Sequence, residues 1–125
     1  MPHKILLADD EEDIKVVVRI FLEGKGHEVV LAFDGLDAID MARQEKPDLI
    51  FLDVMMPVIN GYEVCEKLKA DPATKDIPIV MLSAASHADS IKKGLDAGAA
   101  DYIVKPFDPV KLEAVIDKIL GANPE

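Results

Sequence analysis

Residues 49–53 read LIFLD, four apolar side chains in succession closed by the carboxylate of Asp53. A short apolar run without polar alternation is typical of a strand that is buried on both faces of its sheet. Comparable runs recur at residues 5–8, 29–32, 79–82 and 102–104. The sequence therefore predicts five strands, and all but the second end at a polar residue.

Between these strands, apolar residues recur at helical spacing. The first such stretch places on one face Ile14, Val17, Val18, Phe21 and Leu22. The later stretches include Leu36, Ile39 and Ala42, then Val64, Cys65 and Leu68, then residues 90–97, and finally Val110, Leu112, Val115 and Ile116. Strands that alternate with helices predict an α/β fold with a doubly wound parallel sheet and five helices. The strand order 2-1-3-4-5 is taken from the flavodoxin-like precedent and not from the residues themselves.

Length and charge limit the classes of function. The chain has 125 residues and a formal net charge of −10, which suits one domain over residues 1–125 with its core at about residues 4–120. An acidic surface repels phosphate backbones and anionic lipid, so we expect no direct nucleic-acid binding and no membrane binding. The single cysteine, Cys65, is expected in the core. No signal peptide is recognisable, and we expect a cytoplasmic protein.

Polar residues mark the ends of four predicted strands: Asp9-Asp10, Asp53, Ser83 and Lys105. In a parallel sheet all carboxyl ends lie at one edge, and ligands bind there at the point where the strand order reverses. Three clustered carboxylates repel one another unless a cation relieves them. A hard cation such as Mg²⁺ fits oxygen ligands and is often bound alongside a phosphate. This set of residues therefore indicates phosphoryl chemistry, with a lysine to neutralise charge on the transferring oxygens.

These residues resemble the response-regulator receiver family of two-component signalling, from Lys4 to about Leu120. The resemblance rests on Asp9-Asp10, the segment LIFLDVMMP around Asp53, Asn60-Gly61, Ser83-Ala84, Gly98-Ala99, Asp101-Tyr102 and Lys105-Pro106-Phe107. Each piece alone is weak evidence. Their joint occurrence in this order is specific.

The resemblance implies a role for each matching residue. Asp53 would be the phosphoacceptor, Asp10 and the backbone carbonyl of Met55 would bind Mg²⁺ directly, and Asp9 would bind it through water. Lys105 and Ser83 would contact the phosphoryl group, and Tyr102 would be the aromatic switch. The peptide bond between Lys105 and Pro106 is expected to be cis. The family's output face is formed by helix 4, strand 5 and helix 5.

The resemblance also implies partners. A sensor histidine kinase or phosphotransfer protein would supply the phosphoryl group, and a downstream protein target or effector domain would read it, with a phosphorylation-dependent dimer as a further option. The domain would be a switch that assists its own phosphorylation and dephosphorylation, and not an enzyme. Neither Met55 nor Ala85 can orient a water by hydrogen bonding, which predicts a fairly long-lived phosphorylated state.

Several alternatives stay open at this point. Taken singly, Asp9-Asp10 could cap a helix, Asp53 could be a solvated strand end and Lys105 a surface lysine. A phosphohydrolase with a nucleophilic aspartate would usually carry an acid where this chain has Met55. A flavin module or a phosphorylation-independent interaction domain fits the acidic set less well. The three histidines, His3, His27 and His87, show no metal-ligand spacing and are expected to be solvated or locally bonded.

Overall fold

The sheet has five parallel strands in the order β2-β1-β3-β4-β5 in the computed structural model, which describes residues 3–56, 58–84 and 88–121. The strands are β1 (Lys4–Ala8), β2 (Glu28–Ala32), β3 (Leu49–Asp53), β4 (Ile79–Ser83) and β5 (Asp101–Val104). The helices are α1 (Glu12–Gly24), α2 (Gly35–Glu45), α3 (Gly61–Ala70), α4 (Ala88–Asp96) and α5 (Pro109–Leu120). The predicted flavodoxin-like order is confirmed.

Each strand alternates its side chains between two separate cores. In β1, Leu6 and Ala8 join the core that contains residues of α2 and α3, whereas Ile5 and Leu7 join the core that contains residues of α1 and α5. All four of these side chains are fully buried. Burying one such aliphatic side chain contributes about 1.5–3 kcal/mol. The continuous hydrophobicity of the strands thus follows from a sheet that is covered on both faces.

Side-chain caps mark the start of three helices, and in α2 the Asp34 carboxylate accepts from the Asp37 backbone N–H. The Asn60 side chain accepts from the Glu63 backbone N–H, and the Glu63 side chain accepts from Asn60, which forms a capping box at the start of α3. Asp108 caps α5, with Pro109 in the first turn. The caps of α3 and α5 fix where the loops that follow β3 and β5 end, at the carboxyl edge of the sheet.

Some helical faces differ from the prediction. Val17, Leu36 and Val110, which the spacing places on buried faces, are 54%, 51% and 57% exposed. Lys15, in contrast, is 1% exposed, lies 4.5 Å from the ring centroid of Phe33 and forms a 3.0 Å ion pair with Glu12. A long lysine stem packs like an apolar side chain when its ammonium contacts a carboxylate and an aromatic ring. The spacing of apolar residues in the sequence cannot predict such a buried lysine.

The expectation for His27 is wrong. The side chain is buried, its Nε2 lies 2.9 Å from Glu113 Oε1 on α5, and its Nδ1 accepts from the His3 backbone N–H at 3.1 Å. These partners are remote in sequence, so local context could not reveal them. Cys65 is buried as predicted, and His87 lies outside the described residues. In the described ranges, no helix combines the length and hydrophobicity that crossing a membrane requires.

Candidate functional site

The sheet register brings the polar strand ends together. Ala8 pairs with Leu52, so Asp9 and Asp53 continue two neighbouring strands side by side. Ser83 pairs with Val104, and the backbone N–H of Lys105 donates to the Ser83 carbonyl at 2.8 Å. The strand order reverses between β1 and β3, as predicted for a ligand site in an open α/β sheet.

Three carboxylates converge at this edge. Oxygen atoms of Asp9, Asp10 and Asp53 lie within 4.8 Å of one another, with Asp9 and Asp53 buried and Asp10 exposed. Asp9 Oδ2 is buried and receives no hydrogen bond from the described residues, although it lies 3.0 Å from the Lys105 ammonium. Hard oxygen donors, one of them lacking a hydrogen bond, fit a Mg²⁺ ion, because this ion prefers one or two carboxylates together with water.

Lys105 reaches into the same cluster. Its Nζ lies 2.7 Å from Glu11 Oε1, 3.0 Å from Asp9 Oδ2 and 3.3 Å from Asp53 Oδ2. Burial alone lowers the pKa of Lys105, but the hydrogen bond to Glu11, the short contact with Asp9 and the negative charges of Asp53 and Asp9 outweigh burial and raise it. The ammonium is therefore held charged. Sequence reasoning missed Glu11, because its partner Lys105 lies 94 residues away in the chain.

Burial, reinforced by the negative charge of Asp9, raises the pKa of Asp53 from its usual 3.8 to about 7. The Lys105 charge and the Met55 backbone N–H, which donates to Asp53 Oδ1 at 3.2 Å, act in the opposite direction. Without a metal ion, the cluster thus holds more negative charge than one lysine compensates. A bound cation would favour the ionised, nucleophilic form of Asp53.

An open cleft of about 270 Å³ gives access to this carboxylate. Its lining residues are Asp10, Glu11, Asp53, Met55, Ala84 and Lys105. The Met55 side chain is 71% exposed at its rim. Ala85 lies outside the described residues. The cleft is large enough for a small anion to approach Asp53 from solvent.

The two predicted switch residues occupy neighbouring strands. Ser83 is buried at the end of β4. Tyr102 is half-buried on β5, and a Cβ atom built on Gly94 would lie 3.1 Å from its ring, so the tyrosine packs directly against α4. The Tyr62 hydroxyl on α3 donates to the Ser90 backbone carbonyl on α4 at 3.3 Å. Sequence reasoning gave no role to Tyr62.

The Lys105–Pro106 peptide bond is cis, as the resemblance implies. This bond follows β5 directly and precedes the loop that leads into α5. The predicted geometry at this position is confirmed.

Comparisons with known proteins agree with the architecture. The alkaline phosphatase synthesis transcriptional regulatory protein PhoP of Bacillus subtilis (strain 168) is 43% identical over 120 residues, which are 96% of this chain and 49% of that protein. The chain spans about half the length of the curated relatives it matches.

Solved structures show the same fold. The chemotaxis response regulator CheY4 of Vibrio cholerae has a TM-score of 0.89 and 32% identity, covering 95% of this chain and 99% of that chain. The receiver domain of the sensor histidine kinase PA1611 of Pseudomonas aeruginosa PAO1, described with a magnesium ion coordinated in its active-site cleft, has a TM-score of 0.88 and 29% identity, covering 98% and 100%. The model of the response regulator receiver domain matches residues 5–117, so the chain belongs to the response regulator receiver domain family of two-component systems.

Proposed function

We propose that this chain is a phosphorylation-activated signalling switch in which Asp53 accepts a phosphoryl group. The observation that carries the proposal is the 3.3 Å contact between Lys105 Nζ and the buried Asp53 carboxylate, within a cluster of three acids at the mouth of a cleft. A nucleophile, a fixed positive charge and a set of cation ligands are the parts that phosphoryl transfer requires.

The acidic residues would hold Mg²⁺. We assign direct ligation to Asp10, Asp53 and the Met55 backbone carbonyl, and ligation through water to Asp9, whose carboxylate lies deepest. Bound Mg²⁺ would supply charge neutralisation on the transferring oxygens. The PA1611 receiver domain is described with a magnesium ion in its active-site cleft, which supports this assignment.

The phosphoryl group would be transferred from a phosphohistidine on the donor protein to Asp53. An oxygen of Asp53 forms a bond to phosphorus while the bond from phosphorus to the donor's imidazole nitrogen breaks. The imidazole leaves with the electron pair and takes up a proton. Lys105 stabilises the equatorial oxygens, and the Ser83 hydroxyl donates to one of them. The product is an aspartyl phosphate, which carries about 1.5 to 2 negative charges at neutral pH.

A groove beside the site supports the proposal that the phosphodonor is a protein. It has a volume of about 230 Å³ and lies between the start of α1 and the loop after β5, with Ile14, Val17, Pro106 and Phe107 in its lining. The exposure of Val17 follows from this groove. We infer that a sensor histidine kinase or a phosphotransfer protein docks here and presents its histidine to the cleft.

We propose that the output passes through the face formed by α4, β5 and α5. When Ser83 and Lys105 close on the phosphoryl group, Tyr102 would turn inward. Because Tyr102 packs against α4, this movement would reach that helix. Leu95, Val104 and Val110 are 46%, 37% and 57% exposed on these three elements and offer apolar contacts to a protein target or to a second copy in a phosphorylation-dependent dimer. Such a relay shifts a two-state equilibrium.

We further infer that residues 1–125 form a single receiver domain that regulates a partner or an attached effector domain and is not itself an enzyme. The relative PhoP is named as a transcriptional regulatory protein, and this chain matches about half of it. We assign no direct nucleic-acid contact to this domain, because its formal net charge is −10.

Incubation with acetyl phosphate and Mg²⁺, followed by intact-mass measurement, tests the proposal. We expect one added phosphate on the wild type and on Asp40→Asn, an exposed acid of α2, and none on Asp53→Asn. Continuous release of phosphate without an accumulating adduct would instead indicate a hydrolase. Incorporation that survives Asp53→Asn would overturn the assignment.

A further inference from the structure

We infer that Glu11 is a positioning residue that holds the Lys105 ammonium in the unphosphorylated protein and competes with the phosphoryl group for it. The inference rests on the proposed phosphorylation of Asp53. It assigns Glu11 a regulatory role in that reaction. The Glu11 carboxylate accepts a hydrogen bond from the Lys105 ammonium that a phosphoryl oxygen would otherwise accept.

The geometry singles out Glu11 among the three acids around Lys105. Its contact, at 2.7 Å, is the shortest, yet its side chain is 55% exposed whereas those of Asp9 and Asp53 are 0% and 3% exposed. A lysine ammonium has three donors, and here each faces one carboxylate. Asp9 cannot turn to water, and Asp53 is the acceptor itself. Glu11 is therefore the partner that can leave.

The backbone context of Glu11 supports the same conclusion. Glu11 is the N-cap residue of α1, with extended dihedral angles, but its side chain makes no capping hydrogen bond. N-cap positions favour short side chains that reach the free N–H groups of the first turn. The Glu11 carboxylate instead contacts a residue 94 positions away. The side chain thus serves the site and not the helix.

The direction of the effect follows from charge. A phosphodonor arriving through the cleft is an anion, and it meets the Glu11 carboxylate at the cleft wall. Glu11 repels this anion and also withholds one lysine donor from it. Replacement by glutamine removes the repulsion but keeps an oxygen that can accept from Lys105. A partly exposed ion pair is worth up to about 1 kcal/mol, which corresponds to roughly a fivefold change in rate.

The first experiment measures the rate of phosphorylation by acetyl phosphate with saturating Mg²⁺. Glu11→Gln is expected to be roughly two- to fivefold faster than the wild type. Glu12→Gln is the matched control, since it removes the same charge one residue away, from a side chain that pairs with Lys15. Glu12→Gln is expected to keep the wild-type rate. Equal acceleration by both variants, or slowing by Glu11→Gln, would overturn the proposal.

The second experiment follows the Lys105 side-chain nitrogen by NMR in protein with ¹⁵N-labelled lysine. Glu11→Gln is expected to shift this resonance in the unphosphorylated protein and to leave it unchanged in the phosphorylated one. An equal shift in both states would show that the contact persists, and would refute competition. If the wild type and Glu12→Gln failed to take up phosphate at all, the proposed function itself would be wrong, which is a distinguishable result.

Discussion

Lys105 and Asp53 meet across an intervening strand: their side chains lie 3.3 Å apart at the ends of β5 and β3, with β4 between them. The long lysine stem spans this distance, and the buried aspartate cannot move toward it. The charge balance of the whole cluster therefore depends on one flexible cation. Changes in pH, metal ion or loop geometry are expected to act on the protein through this contact.

The first prediction concerns pH. Because burial and the Asp9 charge raise the pKa of Asp53 to about 7 from 3.8, the folded metal-free protein binds this proton more tightly than the unfolded chain does. The resulting stabilisation is complete below about pH 4 and is lost as the pH rises through about 7. Between about pH 5 and about pH 8, the wild type is expected to lose on the order of 1–3 kcal/mol in free energy of unfolding relative to Asp53→Asn.

Urea denaturation with a chelator present measures this difference at each pH. A wild-type-minus-variant difference that stays constant with pH would contradict the raised pKa of Asp53. Added Mg²⁺ is expected to stabilise the wild type more at the higher pH, because the ion binds the ionised carboxylate.

The second prediction concerns the metal ion. Asp10 is the exposed member of the acidic cluster, so Asp10→Asn removes a proposed Mg²⁺ ligand without burying an unpaired group. We expect the Mg²⁺ dissociation constant to rise about tenfold or more, read from the Mg²⁺-dependent shift of the thermal unfolding midpoint. Asp13→Asn, an exposed acid in the first turn of α1, is the control. Equal weakening by both variants would mean that only net charge matters.

The third prediction concerns the close approach of α3 to β3. A Cβ atom on Gly61 would collide with the Asp53 carbonyl oxygen and would lie 2.8 Å from the Val54 Cα atom, and both are backbone atoms that cannot yield. Gly61→Ala is expected to cost about 2–4 kcal/mol in free energy of unfolding. Gly24→Ala meets nothing within 4 Å and is expected to be neutral or stabilising by up to about 1 kcal/mol. Urea denaturation of both variants measures this, and similar costs would refute the steric argument.

The fourth prediction concerns the loop between β3 and α3. Val58 has a φ angle of 75° and is 70% exposed, so this β-branched residue adopts the left-handed region without burial to favour it. Val58→Asn is expected to raise the free energy of unfolding by about 0.5–1.5 kcal/mol. The same change at Val110, an exposed position of α5, relieves no strain and should not stabilise. Thermal unfolding distinguishes the two, and a loss of stability at position 58 would show that the valine contributes packing.

The sequence by itself determined the architecture and most of the site. Continuous apolar runs require a sheet that is buried on both faces, and the runs end at Asp9, Asp53, Ser83 and Lys105. Since parallel strands bring all their carboxyl ends to one edge, the sequence placed these residues at the same edge of the sheet. The strand order itself came from precedent, because no local pattern encodes which strands are neighbours.

Only the tertiary structure decided which partners each charged group would have. Glu11 contacts Lys105 across 94 residues, and His27 contacts Glu113 across 86. Local spacing carries no information about such pairs, because the distance between two side chains on different elements depends on register, helix rotation and stem length together. The burial of Lys15 against Phe33 has the same origin. Periodicity determines which face of a helix or strand is apolar. Packing determines which charged side chains of other elements lie next to it.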